Sequence, residues 1–181
     1  MDRAAVRTLL HAFPSARTLE PKDQRDLLAV LRPVRVPAGQ ALFRAGDSSG
    51  PAYLIVSGLV RVERRLESGR VVLLGRLGPG EFLGDMSLIE GGARSASALV
   101  EIDTEAMLLD IESWRRMRDE AHPVAMWLMM AVDRNVAGRV RGMYDRLCRL
   151  REEPGLAAEP VGAPPPRRPW YQAWRRLTED R

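Results

Sequence analysis

Gly78-Pro79-Gly80-Glu81-Phe82-Leu83-Gly84-Asp85-Met86-Ser87-Leu88-Ile89-Glu90-Gly91-Gly92-Ala93-Arg94-Ser95-Ala96-Ser97-Ala98 is the stretch from which the rest of the chain can be read. A phosphate site needs backbone N–H groups that converge without side chains in the way, and a fixed cation. Gly84 and the short apolar turn Met86-Ser87-Leu88-Ile89 offer the first. Arg94, ten residues later and expected on the next strand, offers the second. The carboxylate of Asp85 suits a sugar hydroxyl, as acidic groups do for ribose in other folds. A plainer reading has Gly80 and Gly84 turning corners of a barrel and Arg94 snorkelling to solvent. Chemistry alone leaves both open.

Around this stretch, from about residue 34 to 110, apolar and polar residues alternate and glycines recur at short intervals. Val60 and Val62 alternate with Arg61 and Glu63, the period of a half-buried strand. Glu67-Ser68-Gly69 separates that run from Val71-Val72-Leu73-Leu74 and predicts a hairpin. Short strands with turns this frequent predict a compact barrel or sandwich.

Helical signals flank the strands. Before them, Glu20-Pro21 ahead of Leu27, Leu28, Val30 and Leu31 predicts a helix with proline in its first turn. After them, Asp110 is placed to cap a helix that starts at Ile111. Pro123 then suits the first turn of a helix that continues to about Arg151, about 42 Å in length. On it Met129, Val136, Val140, Met143, Leu147 and Leu150 form a heptad seam from Val136 onward, with Asp133 interrupting the upper part. The seam predicts a homodimer through residues 123–151; the alternative is packing on the chain's own barrel. From Glu152 the chain is rich in proline and reads as a linker, followed by an amphipathic turn with Trp170, Trp174 and Leu177 on one face. That tail reads as a docking peptide, a loose terminus or, through Arg175 and Arg176, a weak membrane contact.

Composition narrows the function classes. The 181 residues hold one cysteine, Cys148, so no internal disulfide framework forms and a reducing cytoplasm is expected. No 18-residue apolar run predicts a membrane span, and Met1-Asp2-Arg3 leads into no apolar stretch with a small-residue cleavage site, so secretion is not expected. The only histidines, His11 and His122, lie far apart, so neither a metal site nor Cys/His catalysis is expected, and the protein is read as no enzyme. The net charge of +4 comes from arginines scattered among 24 acidic residues, which describes a solvated surface and not a nucleic-acid stripe.

The quoted stretch resembles the phosphate-binding cassette of the cyclic-nucleotide-binding family, which includes the bacterial catabolite activator protein and the regulatory subunit of protein kinase A. Gly84, Met86, Ser87, Leu88, Ile89, Arg94, Ala96 and Ser97 match the family's pattern. Phe13, Ala41-Leu42-Phe43, Gly46-Asp47 and Tyr53-Leu54-Ile55-Val56-Ser57-Gly58 follow its order, so the likeness runs over about residues 10–150. The resemblance implies an α+β, mainly β fold: an antiparallel β-barrel or jelly roll with an N-terminal helix, a short cassette helix and a long C-terminal helix. The expected organisation is 1–32 helical, 33–110 barrel with the cassette at 80–97, 111–151 paired helices, and 152–181 linker and tail.

The resemblance also implies roles. Arg94 pairs with the cyclic phosphate, Asp85 holds the ribose 2′-hydroxyl, and the backbone of Ser87 caps the phosphate. Ser95 touches the phosphate as well, and Gly84, Met86 and Ala96 complete the ligand-binding set. Arg139, with Asn135 and Met143 near it, is the candidate for a base contact from the long helix. The ligand is cAMP or cGMP, with Ser95 after the cassette arginine favouring cAMP; no cofactor is implied. Two residues depart from the pattern. Asp85 stands where glutamate is usual, which withdraws the carboxylate by about 1.5 Å, and Ala93 replaces a common proline. The family's transcription factors carry a helix-turn-helix after the long helix, and the 30 residues past Arg151 are too few and too proline-rich to build one. The expectation is therefore a dimeric sensor that reports its ligand to a protein partner. Its rival is a degenerate, non-binding scaffold.

Overall fold

The structure, a computed structural model, describes residues 3–152. Two compact units divide the chain, Met1–Gly138 and Arg139–Arg181. The first opens with helix α1 (Arg3–Ala12), a 3-10 turn (Pro14–Thr18) and helix α2 (Pro21–Val30), with Pro21 in the first turn as its fixed φ favours. Strands β1 (Leu31–Val36), β2 (Ala41–Phe43), β3 (Ala52–Arg65), β4 (Val71–Leu77) and β5 (Phe82–Leu83) follow. Then come the short helix α3 (Asp85–Glu90), strand β6 (Ser97–Leu109), helix α4 (Ile111–Asp119) and helix α5 (Pro123–Glu152).

Two long strands organise the sheet. β3 and β6 pair antiparallel from Ala52↔Leu109 to Glu63↔Ser97, and every other strand attaches to one of them. At one end the order is β5-β3-β6-β1; at the other it is β4-β3-β6-β2. Between the ends the register slips around Gly58, as at a β-bulge. Gly58 has φ +93°, and a Cβ there would overlap the backbone carbonyl of Asp103 and the Thr104 side chain. Only glycine fits that crossing. The result is the expected jelly-roll sheet, six-stranded and antiparallel, with one difference: its outer strands β1 and β4 do not pair, so it is not closed as a barrel.

Because successive strand residues point to opposite faces, neighbours enter different cores. Leu54 and Phe82 pack with Phe13, Trp114 and Trp127 on the helical side. Ile55 and Leu83 join Val60, Leu77, Ala98 and Val100 on the other. The predicted hairpin forms: β3 turns through residues 66–70, where Leu66 N–H donates to the Arg70 carbonyl at 2.8 Å.

Helix α5 carries a buried stripe as well as the residues of the seam read in the sequence. In the first unit Val124, Leu128, Ala131 and Val132 are buried at helical spacing together with Trp127, and Val136 packs against the same core. This stripe meets the predicted seam at Val136, while Met129, the first seam residue, is exposed. In the second unit Val140, Met143 and Leu147 are exposed on the helix surface. The linker and tail, residues 153–181, lie outside the described residues.

Asp110 caps α4 as expected. Its carboxylate accepts from the Ser113 N–H and from the Ser113 hydroxyl, both at 2.8 Å. The backbone hydrogen bond from Ser113 holds the Asp110 pKa below its ordinary value, against the opposing effect of burial. A carboxyl whose folded pKa is depressed stabilises the fold above its unfolded pKa and loses that contribution as pH falls through the folded one. Asp110→Ala is therefore expected to cost about 1 kcal/mol at neutral pH. In urea unfolding of both proteins, the gap should narrow as the pH is lowered below about 4.

Candidate functional site

The loop after β5 is shaped by Gly84. Its φ is +76°, and a Cβ on it would overlap the Arg94 guanidinium and lie 3.1 Å from the Pro51 carbonyl oxygen. A side chain at position 84 would thus occupy the place that Arg94 takes. From there the chain enters α3, then loops back to β6.

Arg94 lies in that loop, three residues before β6 begins, and not on the strand as expected. The reason is its backbone partners. Arg94 N–H donates to the Asp47 carbonyl at 2.8 Å, and Gly46 N–H donates to the Arg94 carbonyl at 2.9 Å. Both bonds go to the turn after β2, which Asp47 closes by accepting the Arg44 N–H at 2.7 Å. Arg94 is thereby tied to the 44–47 turn and withheld from the ladder.

Nor does the side chain snorkel. Arg94 is 5% exposed, an unusual burial for a cation. Its Nη1 donates to the Gly84 carbonyl at 3.2 Å and its Nη2 to the Pro51 carbonyl at 2.5 Å. The guanidinium lies over the ring of Phe43, Cζ being 4.2 Å from the centroid. Phe43 in turn stacks with Tyr53, at 6.3 Å between centroids and 27° between planes. Burial draws the Arg94 pKa down, while the charges of Tyr53, Asp47 and Asp85 push it back up. Burial also raises the Tyr53 phenol, against the pull of Arg94. Arginine stays charged in proteins, so the site holds a buried, fixed positive charge.

The other candidates fall around this centre. Asp85 opens α3 and is 4% exposed; its Oδ1 accepts the N–H of Met86 at 3.1 Å. Met86 is exposed, and the Ser95 hydroxyl, also exposed, approaches its sulfur at 3.9 Å. Ala96 is buried beside β6. Ser87 lies within α3. Arg139 is the first residue of the second unit. Asn135, read in the sequence as a neighbour of the base contact, braces the fold. Its Oδ1 accepts the Phe82 N–H at 3.3 Å, and its Nδ2 donates to the Ala131 carbonyl at 3.1 Å. It therefore ties α5 to the strand that leads into the cassette.

Phe43, Tyr53, Pro51 and Asp47 are absent from the candidate site read in the sequence. Ala41-Leu42-Phe43, Gly46-Asp47 and Tyr53 carry the family likeness, but no spacing rule brings residues 43 and 53 to residue 94. One further cluster arises from distant positions. Ligand-type atoms of Asp23, Asp26 and His122 lie within 4.8 Å of one another. His122 Nδ1 accepts the Val124 N–H at 3.2 Å, and its Nε2 lies 3.4 Å from Asp26 Oδ2. A neutral ring accepting at Nδ1 carries its proton on Nε2, so it turns an N–H, not a lone pair, toward the carboxylates.

A jelly-roll sheet, a short helix after Gly84 and a buried arginine held by the Gly84 and Pro51 carbonyls are the parts of a nucleotide-binding regulatory domain. Residues 33–121 match the family described as the cyclic nucleotide-binding domain, and the chain belongs to that family. It is similar to the cyclic AMP receptor protein of Thermus thermophilus, 37% identical over 64% of this chain and 55% of that protein. It is also similar to a CRP-like cAMP-activated global transcriptional regulator of Mycobacterium tuberculosis, 33% identical over 78% of this chain and 62% of the regulator. The chain thus spans somewhat over half the length of these relatives. Among solved structures, the Thermus thermophilus catabolite activator protein superposes with a TM-score of 0.61 at 32% identity, over 76% of this chain and 62% of that one. Among the described residues, no helix is long and apolar enough to cross a membrane.

Proposed function

We propose that this protein is a non-enzymatic sensor that binds a cyclic nucleotide, cAMP in preference to cGMP, and reports the bound state to a protein partner. The observation that carries the reading is the buried Arg94 guanidinium, held at the cassette with Gly84 and Asp85. A fixed, desolvated cation beside a loop too tight for any side chain suits a singly charged cyclic phosphate. Ser95, exposed next to Arg94, adds a hydroxyl at the same place. Val140, Met143 and Leu147, exposed along α5, support pairing with a second copy through that helix. Calorimetric titration with cAMP and cGMP tests the reading, with Arg94→Ala as the control. Micromolar binding lost in the variant supports a sensor.

One observation favours the scaffold reading instead. Asp85, already shorter than the usual glutamate, is buried and turned to the N–H of Met86. In the sensor reading the same geometry has a measurable effect on ligand choice. The ribose 2′-hydroxyl receives no direct carboxylate bond, so 2′-deoxy-cAMP should bind within about threefold of cAMP. Asp85→Glu should restore a preference for the ribose form of about tenfold, the value of one hydrogen bond to a charged group. No heat from any of these ligands, up to millimolar concentration and in both proteins, would leave the scaffold reading.

A further inference from the structure

A guanidinium has two kinds of surface. Its rim carries five N–H donors, and its two faces carry none. At Arg94 the carbonyls of Gly84 and Pro51 each engage the rim, and the ring of Phe43 covers a face at 4.2 Å. We propose that Phe43 is a positioning residue for the ligand: its π face holds the Arg94 guanidinium in the plane that points the rest of its rim toward the phosphate.

Three features of the chain converge on this role. β2 is only three residues long and slips register between Ala41 and Phe43, so Phe43 ends the strand next to the turn that follows. That turn, residues 44–47, exchanges backbone hydrogen bonds with Arg94 itself, which fixes the two residues against each other. Tyr53, stacked on Phe43 at 27°, sets the tilt of the ring. An aromatic face attracts a cation through its quadrupole, most strongly where water is excluded, and Arg94 is 5% exposed. An aliphatic residue could fill the same volume, yet it would leave the guanidinium free to rotate about its carbonyl bonds. Holding a side chain with many rotamers before the ligand arrives removes the ordering cost from the binding step.

The inference rests on the cyclic-nucleotide reading, and the test separates the two. Phe43 is replaced in the full chain by phenylalanines carrying one, three and five ring fluorines, which keep the shape while weakening and then reversing the quadrupole. Phe43→Leu and Phe43→Trp complete the series. Each protein is titrated with cAMP, melted thermally, and examined by NMR for the upfield ring-current shift of the Arg94 side-chain protons. The expected result is a graded loss of affinity along the fluorine series, reaching about tenfold, with Phe43→Trp at or above wild type. Melting temperatures should not follow that order. Affinity that is indifferent to fluorination, or that falls only in step with the melting temperature, overturns the proposal. If the wild-type protein binds no nucleotide, the sensor reading fails by itself. The Arg94 shift then decides this point alone: its loss in Phe43→Leu supports the hold of Phe43 on Arg94, and its absence from the wild-type spectrum overturns it.

Discussion

Arg94→Ala should weaken cAMP binding by a hundredfold or more while the jelly roll still unfolds in one cooperative step. The size follows from what the guanidinium is expected to do. Each charge-assisted hydrogen bond to a phosphate oxygen contributes about 1.5–3 kcal/mol, and two of them amount to two or more decades in affinity. The fold is expected to survive because the bonds lost inside the protein go to backbone carbonyls of Gly84 and Pro51 at the edge of the cavity left behind, where water can replace the guanidinium. Arg94→Lys is the sharper comparison. Lysine keeps the charge but offers a point donor, with no fork to span two carbonyls and no plane to lie on Phe43. Calorimetry should show it closer to alanine than to wild type. Wild-type affinity in Arg94→Lys would mean that charge alone suffices and that the held geometry of Arg94 is immaterial.

The largest effect on stability should come from a single added methyl at position 58. Gly58→Ala puts a Cβ onto the Asp103 carbonyl and Thr104, at a backbone φ of +93°. The conformational penalty for an L-residue there is about 1–2 kcal/mol, and forcing apart packed backbone adds about 1–3 kcal/mol. The sum is about 3 kcal/mol, or roughly a 10 °C fall in melting temperature for a chain of this size. The obstruction is main chain, so no rotamer change relieves it. Gly69→Ala is the natural control: it has φ +80° but meets nothing within 4 Å, so it carries the conformational penalty alone. Scanning calorimetry of the two variants separates strain from collision. Equal losses in both would show that the β3–β6 crossing is looser than the overlap at Gly58 implies.

Local signals carry much of the architecture. The period of Val60 and Val62, the turn at Glu67-Ser68-Gly69, the cap at Asp110 and the prolines at 21 and 123 each act through neighbours a few residues away, and each leads to the element found. The cassette is legible for the same reason, since the glycines and Arg94 fall within one short run. What stays hidden depends on pairing over long separations. Nothing local reveals that Phe43 and Tyr53 come together under residue 94, or that Asn135 reaches the Phe82 amide. Arg94 falls in a loop and not on a strand because its backbone bonds to residues 46 and 47 belong to the tertiary fold. The stripe Val124, Leu128, Ala131 and Val132 is obscured for a different cause: a more regular heptad pattern follows it on the same helix and shares Val136 with its core.

The long pairing of β3 with β6 also bears on how the chain reaches its structure. The two strands meet across 34 residues at Glu63↔Ser97 (97 − 63) and across 57 at Ala52↔Leu109 (109 − 52). Each step from the first pair toward the second must close a larger loop before it is rewarded. Zipping therefore proceeds most readily from the hairpin end, which makes the cassette, lying inside that loop, a passenger carried into place by strand pairing. Folding dominated by such distant contacts is slow among small domains. The segment that houses Arg94 thus acquires its geometry late, when the sheet around it already exists.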